Sequence, residues 1–191
     1  MADTKKIMIV GVGGQGTLLA SRILGHAVID MGYDVKVSEV HGMSQRGGSV
    51  VTYVKFGEKV HSPIIDRGEA DIILAFELLE AYRALPYLKE GGRLIVNDQR
   101  INPMPVITGA AEYPENILDK LSSKVATTSV DALKLATEAG SIKSVNVVLI
   151  GLMAKSTDIP YDVWKKAVTE TVPPKFLEVN LRAFDLGYNH Q

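Results

Sequence analysis

Residues 11–16 read Gly-Val-Gly-Gly-Gln-Gly, placed between an apolar run at 6–10 and a stretch with helical periodicity. No other feature limits the fold as much. Gly11, Gly13 and Gly16 match the spacing G-x-G-x-x-G, which allows a tight strand-to-helix turn and close approach of a ligand to the backbone. A helix starting there aims unpaired N–H groups at the turn, a setting that favours an anion. In residues 17–31, Leu19, Ile23 and Ala27 fall on one helical stripe, and Ala20, Leu24, Val28 and Met31 lie on the next. Gly32 is the expected end of that helix. Residues 35–40 are rich in β-branched side chains and predict a second strand. Strand, glycine turn, helix, strand is a parallel βαβ unit. The fold class expected is α/β: a three-layer α/β/α, Rossmann-like arrangement with a mixed, mostly parallel sheet.

The remaining segments fill in that plan. Residues 50–56 alternate as a strand, and residues 60–62, beyond a turn at 57–59, are expected to pair back as a hairpin. Residues 71–75 and 93–97 read as strands, with a helix at 77–85, a short turn from Pro86 and a stop at Gly91-Gly92. Prolines 103 and 105 make 101–108 an edge or a loop. Helices are expected at 116–121 and 131–139, with a strand at 125–128 between them. Residues 145–153 are apolar almost all round, which predicts a buried helix; amphipathic helices follow at 161–171 and 175–186, split by Pro173-Pro174. With 191 residues and no convincing linker, 1–191 is expected to be one domain.

Composition narrows the chemistry. There is no cysteine, which excludes disulfides, zinc–thiolate sites, thiol nucleophiles and cysteine-ligated iron–sulfur clusters. The 21 basic and 22 acidic residues leave a net charge of −1, so no electrostatic reason exists to expect nucleic acid or an anionic membrane as partner. No apolar run reaches the ~20 residues of a bilayer span. Residues 7–10 are too short for the apolar core of a signal peptide. A cytoplasmic protein is expected.

A second polar loop, residues 41–48, reads His-Gly-Met-Ser-Gln-Arg-Gly-Gly. If the first two strands are parallel neighbours, both loops lie on the carboxyl edge of the sheet, where open α/β sheets bind ligands. Arg46 offers a planar fork of donors for a phosphate or carboxylate. Ser44, Gln45 and the N–H groups of Gly47 and Gly48 could complete an anion nest. Glu39 ends the second strand 23 residues after Gly16, near the place of a ribose-binding acid. A stand-alone NAD(P)-binding oxidoreductase and a nucleotide-binding module are therefore readings to weigh.

The other polar residues read as structural. His26 is expected to pack, His41 to cap or titrate, and His61 and His190 have no partners at metal spacing. Glu77 and Glu80 suit the start of a helix. Asn97 and Asp98 read as strand-end caps, Asn146 as a hydrogen-bonded core residue, and Trp164 and Phe176 as core or interface packing.

Read together, Gly11-Val-Gly-Gly-Gln-Gly16, Ser38-Glu-Val-His-Gly-Met-Ser-Gln-Arg-Gly-Gly-Ser49 and Ser62-Pro-Ile-Ile65 resemble the gamma-type subunits of 2-oxoacid:ferredoxin oxidoreductases. Within that family the chain is most similar to the small (beta) subunits of the indolepyruvate type, over nearly its whole length. The resemblance implies oxidative decarboxylation of an aryl 2-oxoacid such as indolepyruvate to the acyl-CoA. Thiamine diphosphate carries the reaction, and iron–sulfur clusters pass electrons to ferredoxin. A chain without cysteine or a Gly-Asp-Gly…Asn motif holds neither group, so both belong on a large partner subunit. The chain alone is then inactive. Coenzyme A is the co-substrate. By the resemblance, Gly11, Gly13, Gly14, Gln15 and Gly16, with Ser44, Gln45, Arg46, Gly47 and Gly48, form the surface that meets it or covers the active site. No catalytic residue and no metal ligand is carried over. An apolar face for the partner is expected, with a homodimer possible when the chain is isolated.

Overall fold

The computed structural model describes residues 4–42 and 47–190. Ser44, Gln45 and Arg46 lie outside the described residues. Along β1 (Lys5–Val12), Ile7 and Ile9 face one side of the sheet and Met8 and Val10 the other. All four are buried, which is why this strand reads as an unbroken apolar run rather than an alternating one. Four further strands fall at Asp34–His41 (β2), Ser49–Gly57 (β3), Ala70–Ala75 (β4) and Leu88–Asn97 (β5), and the last at Ala126–Val130 (β6). They form one sheet in the order β2-β3-β1-β4-β5-β6.

The pairings β1–β4, β4–β5 and β5–β6 are parallel, whereas β3 runs antiparallel to both β1 and β2. The sheet is thus mixed and mostly parallel, as the sequence predicts. Two details differ. β1 and β2 point the same way but are not neighbours, because β3 stands between them. Residues 60–62 form no strand; β3 finds its partners in β1 and β2, whose eight-residue ladders outcompete a three-residue return.

Helices cover both faces. On one side lie α1 (Thr17–Asp30), α5 (Ala132–Ala139), α6 (Val145–Ala154), α7 (Tyr161–Thr171) and α8 (Leu177–Asn189). On the other lie α2 (Leu78–Ala84) and α4 (Ile117–Ser122). Gly32, with φ +81°, follows the last turn of α1 as expected. Gly91-Gly92 does not end a turn before a strand; both glycines sit inside β5. The proline-bearing segment at 101–108 includes the short helix α3 (Met104–Ile107), begun by Pro103 and Pro105, whose missing N–H groups cost nothing in a first turn.

The apolar helix α6 is buried from Asn146 to Ala154, packed by α8 and α1 around it. Two glycines let α6 and α8 touch through their backbones. A Cβ on Gly151 would lie 2.2 Å from the Phe184 carbonyl oxygen, and one on Gly187 would lie 2.0 Å from that of Val148. Trp164 is core, while Phe176 is exposed with the Lys175 ammonium 4.7 Å from its ring. No helix among the described residues is long and apolar enough to cross a membrane.

Candidate functional site

The glycine turn leaves β1 at the carboxyl edge. Gly14 (φ +102°) and Gly16 (φ +85°) take the left-handed conformation that L side chains avoid. Among the described residues, a Cβ at Gly14 would meet nothing within 4 Å. A Cβ at Gly16 would lie 2.6 Å from Asn146 Nδ2, because that amide donates to the Gly16 carbonyl at 3.3 Å. The core asparagine read from the sequence therefore ties the first turn of α6 to the start of α1. Gly16 is also the N-cap of α1, with no side-chain cap and no acid in the first turn. The helix itself supplies no acid to the positive end of its dipole.

The two loops meet. Gly13 N donates to Gly48 O at 2.8 Å, and Gly47 N to Gly13 O at 3.4 Å. These bonds continue the antiparallel β1–β3 ladder one step past Val12 and Ser49. The described ends of the second loop, at 41–42 and 47–48, share the carboxyl edge with the glycine turn, through β3 rather than through neighbouring parallel strands. Ser49 Oγ then donates to Glu80 Oε2 at 2.5 Å, and Arg83 donates to the other carboxylate oxygen of Glu80 at 2.6 Å. The second loop is thereby anchored to α2.

Gln15 points inward. Its Oε1 accepts from Val12 N at 2.7 Å, and its Nε2 donates to Phe76 O at 3.0 Å and to Gln99 Oε1 at 3.1 Å. Asn97 Nδ2 shares the same two acceptors, while its Oδ1 accepts from Ala132 N, the capping role expected of it. The ends of β1, β4 and β5 are thus joined by two side-chain amides, the half-buried Gln15 and the buried Asn97.

Glu77 starts α2 as the sequence predicts, and it is the most buried acid of this edge. Glu77 is 0% exposed. It caps α2 through Glu80 N at 2.9 Å, and its other oxygen accepts from Ile101 N at 3.0 Å and from the Tyr113 hydroxyl. Tyr113 OH in turn accepts from Leu79 N at 3.1 Å. Burial, and then the bond to the Glu77 carboxylate, push the Tyr113 hydroxyl well above the usual tyrosine range. The Arg100 guanidinium lies 4.3 Å from the Tyr113 ring centre. A glutamate three residues before Glu80 signals a cap, but no local pattern links it to a tyrosine 36 residues away.

Glu39 is not beside the glycine turn. It projects from β2 and accepts from Thr52 Oγ1 at 3.4 Å, with β3 between it and β1. Two strand spacings are about 10 Å, so the acid of a dinucleotide site is displaced from its usual neighbour. His41 Nδ1 lies 3.1 Å from Gly42 O, and His26 lies 3.9 Å from Glu170 on the surface. Among the described residues, no group of three His, Asp or Glu side chains could hold a metal ion.

Comparison with known proteins decides between these readings. Residues 6–190 match the model of the pyruvate ferredoxin/flavodoxin oxidoreductase family. The chain belongs to that family. Its relatives include the indolepyruvate oxidoreductase subunit IorB of Thermococcus kodakarensis, 47% identical over 95% of this chain and 93% of that protein. The pyruvate/ketoisovalerate oxidoreductases common subunit gamma of the same organism is 27% identical over 96% and 95%. Among solved structures, the keto/oxoacid ferredoxin oxidoreductase gamma subunit from Geobacter sulfurreducens superposes with a TM-score of 0.72 at 27% identity, covering 96% of each chain. The family named from the loops in the sequence is the one the whole chain matches.

Proposed function

We propose that this chain is the small, cluster-free subunit of an indolepyruvate-type 2-oxoacid:ferredoxin oxidoreductase. The observation that carries the reading is the joined loop edge: Gly13 and Gly48 paired through their backbones, with no described residue within 4 Å of a Cβ at Gly14 and a helix start at Gly16 without a side-chain cap. Such an edge suits a phosphate or carboxylate held by backbone N–H groups. The 47% identity to an indolepyruvate oxidoreductase subunit supports the aryl substrate class.

The chain contributes surface rather than redox chemistry. It has no cysteine to hold an iron–sulfur cluster and no recognisable thiamine motif, so both groups belong to a large partner subunit. When bound there, thiamine diphosphate supports decarboxylation and the clusters carry the electrons to ferredoxin. Gly13, Gly14 and Gly16, with Ser44, Gln45, Arg46, Gly47 and Gly48, meet coenzyme A or the mouth of the partner's active site, while Gln15 holds the turn from inside. Exposed apolar residues stand on elements that start or end at this edge: Leu18 in the first turn of α1, Ile142 just before α6, and Met104 and Ile107 in α3 after β5. They suit burial against the partner.

Anaerobic reconstitution tests this. The purified chain is assayed with a viologen dye, alone and then with its large subunit, on indolepyruvate, pyruvate and 2-oxoglutarate. The chain alone is expected to reduce nothing, and the pair to turn over indolepyruvate preferentially. Activity of the chain alone would falsify the proposal.

A further inference from the structure

The opposite edge of the sheet holds a cavity that the loop edge does not explain. It has a volume of about 460 Å³ and lies at the amino ends of the parallel strands, within the range of small-molecule sites, ~300–1,000 Å³. Its apolar walls are Ile7, Ile72, Phe56, Tyr33 and Ile159. Tyr33 and Phe56 form a tilted ring pair with centroids 5.8 Å apart. The segment 156–159, between α6 and α7, closes one side.

The sheet is built irregularly here. Between Ala70↔Leu88 and Ile72↔Arg93, β4 advances two residues while β5 advances five. The extra residues of β5 form an excursion at the lip of the cavity, turned by Gly91 at φ +73°. Such bulges re-aim side chains, and here they bring Lys89 and Arg93 to the same cavity.

The charges select a ligand. Five ionic side chains line the cavity: Lys5, Lys89, Arg93, Asp71 and Asp158. Lys89 is paired with Asp71, whose other oxygen accepts from Lys6 N at 2.7 Å. Lys5 and Arg93 make no ion pair among the described residues; Arg93 reaches only Ser156 Oγ, at 3.5 Å. The net charge of the lining is +1. That balance suits a single carboxylate, whereas a phosphate dianion would face Asp158 with its second charge unmatched.

We infer that this amino-edge cavity is a binding site for an aromatic monocarboxylate, its ring against Tyr33 and Phe56 and its carboxylate on Arg93 and Lys5. Arg93 gives the planar fork suited to a carboxylate. The site is on the other end of the sheet from the glycine loops and does not depend on their role.

The test is a heteronuclear NMR titration of the full-length chain with three probes of similar ring size: phenylacetate, benzylphosphonate and phenethylamine. Phenylacetate is expected to give saturable shifts confined to residues near 5, 33, 57, 93 and 156–159, and to bind at least about tenfold more tightly than either other probe. Arg93→Gln is expected to weaken it about tenfold or more, the loss of a charge-assisted bond. Ile159→Trp, which fills the cavity, is expected to abolish it. Absence of saturable shifts overturns the inference, as do shifts centred on the glycine loops. Equal binding of the phosphonate, or unchanged binding in Arg93→Gln with an otherwise native spectrum, overturns it as well.

Discussion

The two ends of this sheet are built on different physics. At the carboxyl edge, side-chain amides and the buried Glu77 carboxylate bond to backbone groups, fixing where each loop starts. At the amino edge, lysines and carboxylates pair near solvent, as Lys6 does with Glu69 at 3.0 Å and Lys89 with Asp71, and a cavity opens beside the second pair. Hydrogen bonds inside a low-dielectric interior are costly to leave unmade, whereas exposed ion pairs contribute little. The difference teaches that the loop edge is held rigid from beneath while the far edge is free to vary. Substitutions at the two ends should therefore differ sharply in cost.

The largest effect is expected at Glu77. Glu77→Ala strands Ile101 N, Glu80 N and the Tyr113 hydroxyl, three groups that now share one carboxylate. Each buried donor left without a partner costs about 1–3 kcal/mol. A loss of about 3 kcal/mol or more in urea unfolding is expected, with the 98–113 segment becoming sensitive to proteolysis. A loss below 1 kcal/mol, about what one exposed bond contributes, would show that the edge is not held from beneath.

A smaller and more specific effect is expected at Gly16. Alanine there must adopt a positive φ and push Asn146 Nδ2 away. The cost is about 1–3 kcal/mol. Because part of it comes from one side chain, the same substitution in an Asn146→Ala background should cost less, and the double-mutant cycle should show coupling. Additive costs would mean that Asn146 does not set the geometry of the turn.

Much of this was legible in the sequence. The 6–10 run, the glycine turn and the α1 stripes gave the first strand and helix closely, and the all-round apolar 145–153 gave the buried helix, because each signal is local. The paired loops gave the family. The place of β3 was not legible: whether an alternating strand joins its successor or inserts between two earlier strands depends on ladder length and burial across the sheet, not on its own residues. The inward role of Gln15 and the Glu77–Tyr113 bond were hidden for the same reason, since their partners lie 61 and 36 residues away. The Gly91-Gly92 pair misled, because two glycines mark a turn and a bulge equally well.

The smallest effect is expected at the amino edge, at Lys6→Met. Glu69 is held below the usual carboxylate range, first by the Lys6 ammonium and then by a bond from the Asp66 backbone. Its folded value is depressed from 4.5, so the stability it contributes is present above that pH and is lost as pH falls through the folded value. In Lys6→Met this contribution shrinks. At pH 7 and moderate salt the two curves should agree within the error of a denaturation experiment, because both side chains are partly exposed. The small gap expected at low ionic strength should close on adding salt and close again as pH falls below about 4, where Glu69 is protonated in the unfolded state and then in the folded one. A gap that survives both salt and acid would mean that Lys6 acts through the packing of its apolar stem rather than its charge. The amino edge would then be held by burial, as the loop edge is, and the contrast between the two ends would fail.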